Sequence, residues 1–133
     1  MRSLILLVVL AGACGTDQPA TFTEIYPLMF PVETRPQCNF CHSLPPNDTS
    51  NGMLSMGADQ ATAYSALMDN SMGSMCGDTM PLVEPGNPQG SLFYLKLTAA
   101  PPCGDRMPLG GTPLTADLLD KVDSWITAGA QDD

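Results

Sequence analysis

The chain has 133 residues, room for one domain or a domain with a tail. Five Lys and Arg against 14 Asp and Glu give a formal charge of −9, which argues against nucleic acid and against a basic patch for anionic lipid. An acidic surface of this kind is steered instead toward a basic partner, an attraction that fades with salt.

In chain order, Met1-Arg2-Ser3 is a short cationic start, and Leu4 to Ala11 is an apolar run too short to span a bilayer. Together they predict a signal peptide. Leu10-Ala11-Gly12-Ala13 directly before Cys14 resembles a bacterial lipobox, with Ala11 where Leu is more usual. It implies cleavage before Cys14 and diacylation of that thiol; ordinary cleavage nearby would leave a soluble exported protein. Residues 1–13 are therefore read as a lipoprotein-type signal peptide, 14–20 as a polar tether and 21–133 as the folded domain. Export places the domain on the periplasmic side, touching the membrane only through the lipid, at about 0.8 kcal/mol per buried CH₂.

Thr21 and Glu24 form a capping-box pattern. Phe22, Ile25, Tyr26, Met29 and Phe30 follow at the spacing of one apolar helix face. Pro27 conflicts with that face, because it removes a ladder hydrogen bond and crowds the preceding turn. The helix is expected to kink there or to begin later.

Next comes Cys38-Asn39-Phe40-Cys41-His42, a C-x-x-C-H run that reads as a covalent attachment site for c-type haem. In one helical turn, residues three and four apart share a face, so Cys38, Cys41 and His42 can address one ligand. The thiols can form thioethers with the porphyrin vinyls, and the imidazole can reach the iron from the proximal side. A bare C-x-x-C also suits zinc or thioredoxin-like redox chemistry. The adjoining His, which is the only one in the chain, narrows the choice. The bland alternative is a pair of disulfide cysteines beside an incidental surface His. Ser43-Leu44-Pro45-Pro46 cannot continue a helix, and a carbonyl in it is expected to accept the His42 Nδ1–H and orient the ring.

Residues 47–57 read as loop. Asp59 can cap a helix over about 60–68, with Ala61, Tyr64, Leu67 and Met68 on one side. Asn70 to Gly77 reads as a further loop. Ser91 is expected to cap Leu92 to Leu97, which Pro101-Pro102 stops. The last helix runs from Thr115 through Leu118, Leu119, Val122, Trp125 and Ile126, closed by Gly129. Nothing alternates convincingly enough for a strand, so the domain is all-α: a few short helices and long loops that need a common apolar partner.

The five cysteines sort without remainder. Cys14 goes to lipid and Cys38 and Cys41 to haem, which leaves Cys76 and Cys103 for a disulfide in an exported protein. The rival is a four-thiolate zinc site from Cys38, Cys41, Cys76 and Cys103, which lacks the usual second close pair. Cys76-Gly77-Asp78-Thr79-Met80-Pro81-Leu82 recurs as Cys103-Gly104-Asp105-Arg106-Met107-Pro108-Leu109, differing only at the fourth residue. Either Met-Pro pair could supply an axial thioether. Met107 is favoured because it sits just before the last helix, whereas Met80 runs into a Val83-Glu84-Pro85-Gly86 turn. Met53 with Met56 and Met72 with Met75 could bind Cu(I), although such residues more often pack or fill loops.

Taken together, these pieces resemble the small class I-like cytochrome c domains of exported bacterial proteins, many of them lipoproteins. The matching residues are Tyr26-Pro27 before Cys38–His42, Pro85-Gly86-Asn87-Pro88 before Ser91-Leu92-Phe93-Tyr94, Arg106-Met107-Pro108-Leu109-Gly110-Gly111, and Trp125-Ile126-Thr127-Ala128-Gly129-Ala130. The resemblance implies a cytochrome c-like fold around one haem c per chain, joined to Cys38 and Cys41. It further implies His42 as proximal ligand, Met107 as distal ligand, and first and last helices crossing near the haem edge. The function expected is a one-electron carrier, not an enzyme, working with partners that dock through a basic surface. The alternatives are a haem-dependent peroxide-reducing enzyme, which would need an open sixth position, and a non-redox copper or zinc module. Pro27 and Pro31 depart from the pattern and predict a looser crossing; Cys76 and Cys103 are additions to it.

Overall fold

The computed structural model describes residues 18–43, 54–69, 76 and 80–133. The signal peptide, Cys14, most of the tether, and Met53, Met72 and Met75 lie outside the described residues. Among the described residues there are five α-helices and no strand: α1 (Phe22–Met29), α2 (Cys38–Cys41), α3 (Gln60–Met68), α4 (Leu92–Leu97) and α5 (Ala116–Thr127). None is long and apolar enough to cross a membrane.

Helix α1 begins where its capping box puts it. The Thr21 hydroxyl accepts from the Glu24 N–H, and the Glu24 carboxylate accepts from the Thr21 N–H. Pro27 is accommodated inside the helix rather than delaying its start. It lies on the exposed side, where the one lost ladder bond leaves Thr23 O near solvent. Phe22, Ile25, Met29 and Phe30 are completely buried, as the apolar spacing predicts.

Helix α3 is capped by Asp59, whose carboxylate accepts from the Thr62 N–H. Its buried side is Ala63 and Leu67, flanked by half-buried Tyr64 and Met68; Ala61 is exposed, contrary to expectation. A step from 63 to 67 is one turn, so Ala63 and not Ala61 lies above Leu67.

Helix α5 has the Thr115 cap and ends in a Schellman motif. Gly129, at φ +107°, donates to Ile126 O, and Ala130 donates to Trp125 O. Val122, Trp125 and Ile126 are buried.

Phe22 is the hub of the core. Its ring lies 5.1 Å from Trp125, 5.5 Å from Tyr64 and 5.7 Å from Phe30, so one side chain joins α1, α3 and α5. The polypeptide after α5 completes the junction. Asp133 accepts from the Phe22 N–H through its carboxylate and from the Thr23 N–H through its carbonyl, satisfying two open donors at the start of α1. Ala20 is buried and donates to the Ser124 hydroxyl, so the packed domain already includes the last tether residue. The first and last helices therefore pack directly against each other.

The loop before α4 is built around Ser91. Its hydroxyl is fully buried but does not cap α4; it accepts from the Glu84 N–H and donates to Asn87 O. Carbonyls of Pro81 and Leu82 accept from Leu92 and Phe93 at the helix start. The preceding chain thus takes over the capping role expected of Ser91.

Candidate cofactor site

The five residues of the C-x-x-C-H run do form a helical turn. Helix α2 starts from Gln37 in the left-handed region, φ +62°, and the His42 N–H bonds Cys38 O at 3.0 Å. The Asn39 N–H donates to Phe30 O at 2.9 Å, docking the turn onto the end of α1. Cys38 and Cys41 are both free thiols and partly accessible. Cys38 packs against the main core, where burial pushes its thiol up to about 12, with Cys41 adding to the shift.

The His42 ring is oriented by a carbonyl, but by one further along than expected. Its Nδ1 lies 3.0 Å from Leu54 O, whereas residues 44–46, expected to supply that carbonyl, lie outside the described residues. So do residues 47–53, and the chain on their far side returns to the His42 turn. The Met56 N–H returns to His42 O at 2.7 Å, and the Ser55 hydroxyl donates to Ser43 O. A carbonyl can only accept, so Nδ1 carries the proton and the neutral ring keeps its lone pair on Nε2. That is the arrangement a metal-binding imidazole needs.

Asn39, between the two cysteines, is 6 % exposed, and its Oδ1 is buried without a partner. Its Nδ2 is 3.5 Å from the Tyr26 hydroxyl. Turning the amide over would bring Oδ1 to that hydroxyl, which can donate. The fit to a porphyrin therefore rests on the donor set: two unpaired thiols on one turn beside an oriented imidazole.

The distal candidates are placed differently. Met107 packs half-buried against the same core cluster as Cys38, and its N–H bonds Lys96 O at 2.7 Å. Met80 is half-buried too but does not belong to that cluster. Cys76 and Cys103 form a disulfide, with Cα atoms 5.4 Å apart, tying together the first residues of the two heptapeptides. This removes both thiols from a four-thiolate zinc site. Among the described residues, no three His, Cys, Asp or Glu side chains gather as a metal cage. Met56, one of the four methionines considered for copper, is 4 % exposed within the core.

Sequence reasoning missed two contributors. Leu54 acts through its main chain, which no side-chain pattern reveals. Asp133 lies 110 residues after Thr23 in the first turn it caps, a separation that hides the pairing. Compared with protein-family models, curated proteins and solved structures, the chain gives no match.

Proposed function

We propose that this protein is an exported one-electron carrier of the c-type cytochrome kind, with a cytochrome c-like arrangement of helices around one haem c. The observation that carries the reading is the α2 turn, in which Cys38 and Cys41 are unpaired and His42 Nδ1 is engaged by Leu54 O. Cys38 and Cys41 would hold the porphyrin as thioethers, His42 would offer its ring nitrogen to the iron, and Met107 would offer its thioether sulfur. Bound there, the group supplies an iron couple that exchanges one electron.

The residues of the chain do the rest. The Leu54 carbonyl keeps the His42 proton on Nδ1, which leaves Nε2 unprotonated. The aromatic cluster around Phe22 and Trp125 anchors the helices and excludes water from the interior. The Met107 segment is packed against the core and the His42 ring is held by Leu54 O, so both side chains would change position little during electron transfer. The excess of carboxylates favours a donor or acceptor with a basic face, and the N-terminal sequence favours attachment on the periplasmic side through lipid on Cys14.

The test is an absorption spectrum and a denatured haemochrome of protein matured in a periplasmic c-type system. One covalent haem per chain is expected. Folded, colourless material with Cys38 and Cys41 free or bridged to each other would overturn the proposal.

A further inference from the structure

Lys96 grips the Met107 segment at two points. Its ammonium donates to Cys103 O at 3.0 Å, and its own carbonyl accepts from the Met107 N–H at 2.7 Å. The carbonyl belongs to the last turn of α4, where no intrahelical donor is available, so Met107 fills a vacancy the helix itself creates. A cation in that turn ordinarily answers the helix dipole from solvent. Here it reaches across to the loop and is half-buried. Between the two grips lies Gly104, at φ +55°, where an added Cβ would come 3.4 Å from Lys96 Nζ. The disulfide fixes Cys103 from the other side.

From this geometry we infer that Lys96 is a positioning residue for the distal ligand: it fastens residues 103–107 to α4 and so holds the Met107 thioether in place against competing ligands. The inference rests on Met107 being that ligand. An external ligand can enter only when the loop lifts, so its apparent affinity falls with the fraction of lifted molecules. Weakening the fastening raises that fraction.

The experiment is an imidazole titration of the ferric holoprotein, with haem content checked by denatured haemochrome in every variant. Lys96→Met keeps the stem and removes the donor; the apparent imidazole affinity is expected to rise roughly tenfold, the equivalent of one lost charge-assisted bond. Lys96→Arg, which can still donate, should stay near the parent value. In a Met107→Ala background the Lys96→Met change should have no further effect, since nothing remains to be held. Gly104→Ala, strained at its φ and crowding the ammonium, provides a second route to the same rise should Lys96→Met fail to mature. An unchanged affinity in Lys96→Met, alongside a large rise in Met107→Ala, overturns the fastening and leaves the ligand assignment intact. Equal effects of Lys96→Met in both backgrounds overturn it as well, by showing general loosening. No rise in Met107→Ala overturns the ligand assignment and the inference with it.

Discussion

His42 and Leu54, with eleven residues between them in sequence, are joined by a bond from imidazole Nδ1 to carbonyl oxygen at 3.0 Å. The reverse contact, Met56 N–H to His42 O at 2.7 Å, makes the pair a two-point clasp that fixes ring and backbone together. The clasp gives the only imidazole of the chain a defined tautomer. His42→Ala should therefore abolish the reversible one-electron wave in voltammetry, while the haemochrome still reports a covalently attached group on Cys38 and Cys41. A retained wave at the parent potential would show that iron is held by something other than His42.

The two heptapeptide methionines give opposite expectations. A thioether opposite His raises the reduction potential. Met107→Ala should lower it by on the order of 0.1 V, a modest part of the roughly 0.8 V that axial ligation spans. Met80→Ala should leave the potential nearly unchanged, because Met80 lies outside the core cluster that holds Met107 and Cys38. Loss of the Met-to-iron absorption band in Met80→Ala alone would reverse the assignment.

Much of the helical frame is legible in the sequence because local chemistry decides it. The Thr21–Glu24 box, the Asp59 and Thr115 caps and the Gly129 terminus all satisfy main-chain donors and acceptors within a few residues. The spacing of Phe22, Ile25, Met29 and Phe30 likewise names a buried face directly. Ser91 defeated the same reasoning. Its hydroxyl found nearer partners in the turn before it, and the helix donors were met by carbonyls from Pro81 and Leu82. The candidate site divides in the same way. Its side chains, Cys38, Cys41 and His42, are visible as a motif, whereas the groups that hold their turn and ring are main-chain carbonyls at Phe30 and Leu54, and the Met107 segment is held by a carbonyl at Lys96. Carbonyls carry no sequence signature, so only the fold discloses them.

The disulfide contributes stability by restricting the unfolded chain. Cys76 and Cys103 are 27 residues apart, and closing a loop of that size contributes about 3–4 kcal/mol in the chain-entropy view. Replacing both by Ala should lower the urea midpoint of the holoprotein by a corresponding amount, with the slope of the transition increased by the more expanded unfolded state. An unchanged midpoint would mean that the native bond is offset by strain or by residual structure in the unfolded chain.

The pKa directions of three groups predict an alkaline and an acid limb in the pH dependence of stability. Burial raises the Tyr64 phenol, and the Asp132 and Asp133 carboxylates add to the effect; burial raises Tyr94, helped by Asp123 and then Asp120. A folded pKa above the ordinary value near 10 means that the native state prefers the neutral phenol. That contribution is complete below pH 10 and is lost as pH rises through the folded value. Asp59 behaves oppositely: bonds from the Thr62 N–H and hydroxyl hold its carboxyl below the usual range, so its contribution is present at neutral pH and lost on acidification. Urea midpoints measured from pH 3 to 12 should accordingly fall at both ends. Tyr94→Phe should flatten the alkaline limb, because no phenol remains to ionise beside Asp123. Asp59→Asn should flatten the acid limb while keeping α3 capped, since Asn caps about as well as Asp. Limbs that stay equally steep in both variants would assign the pH response to other groups.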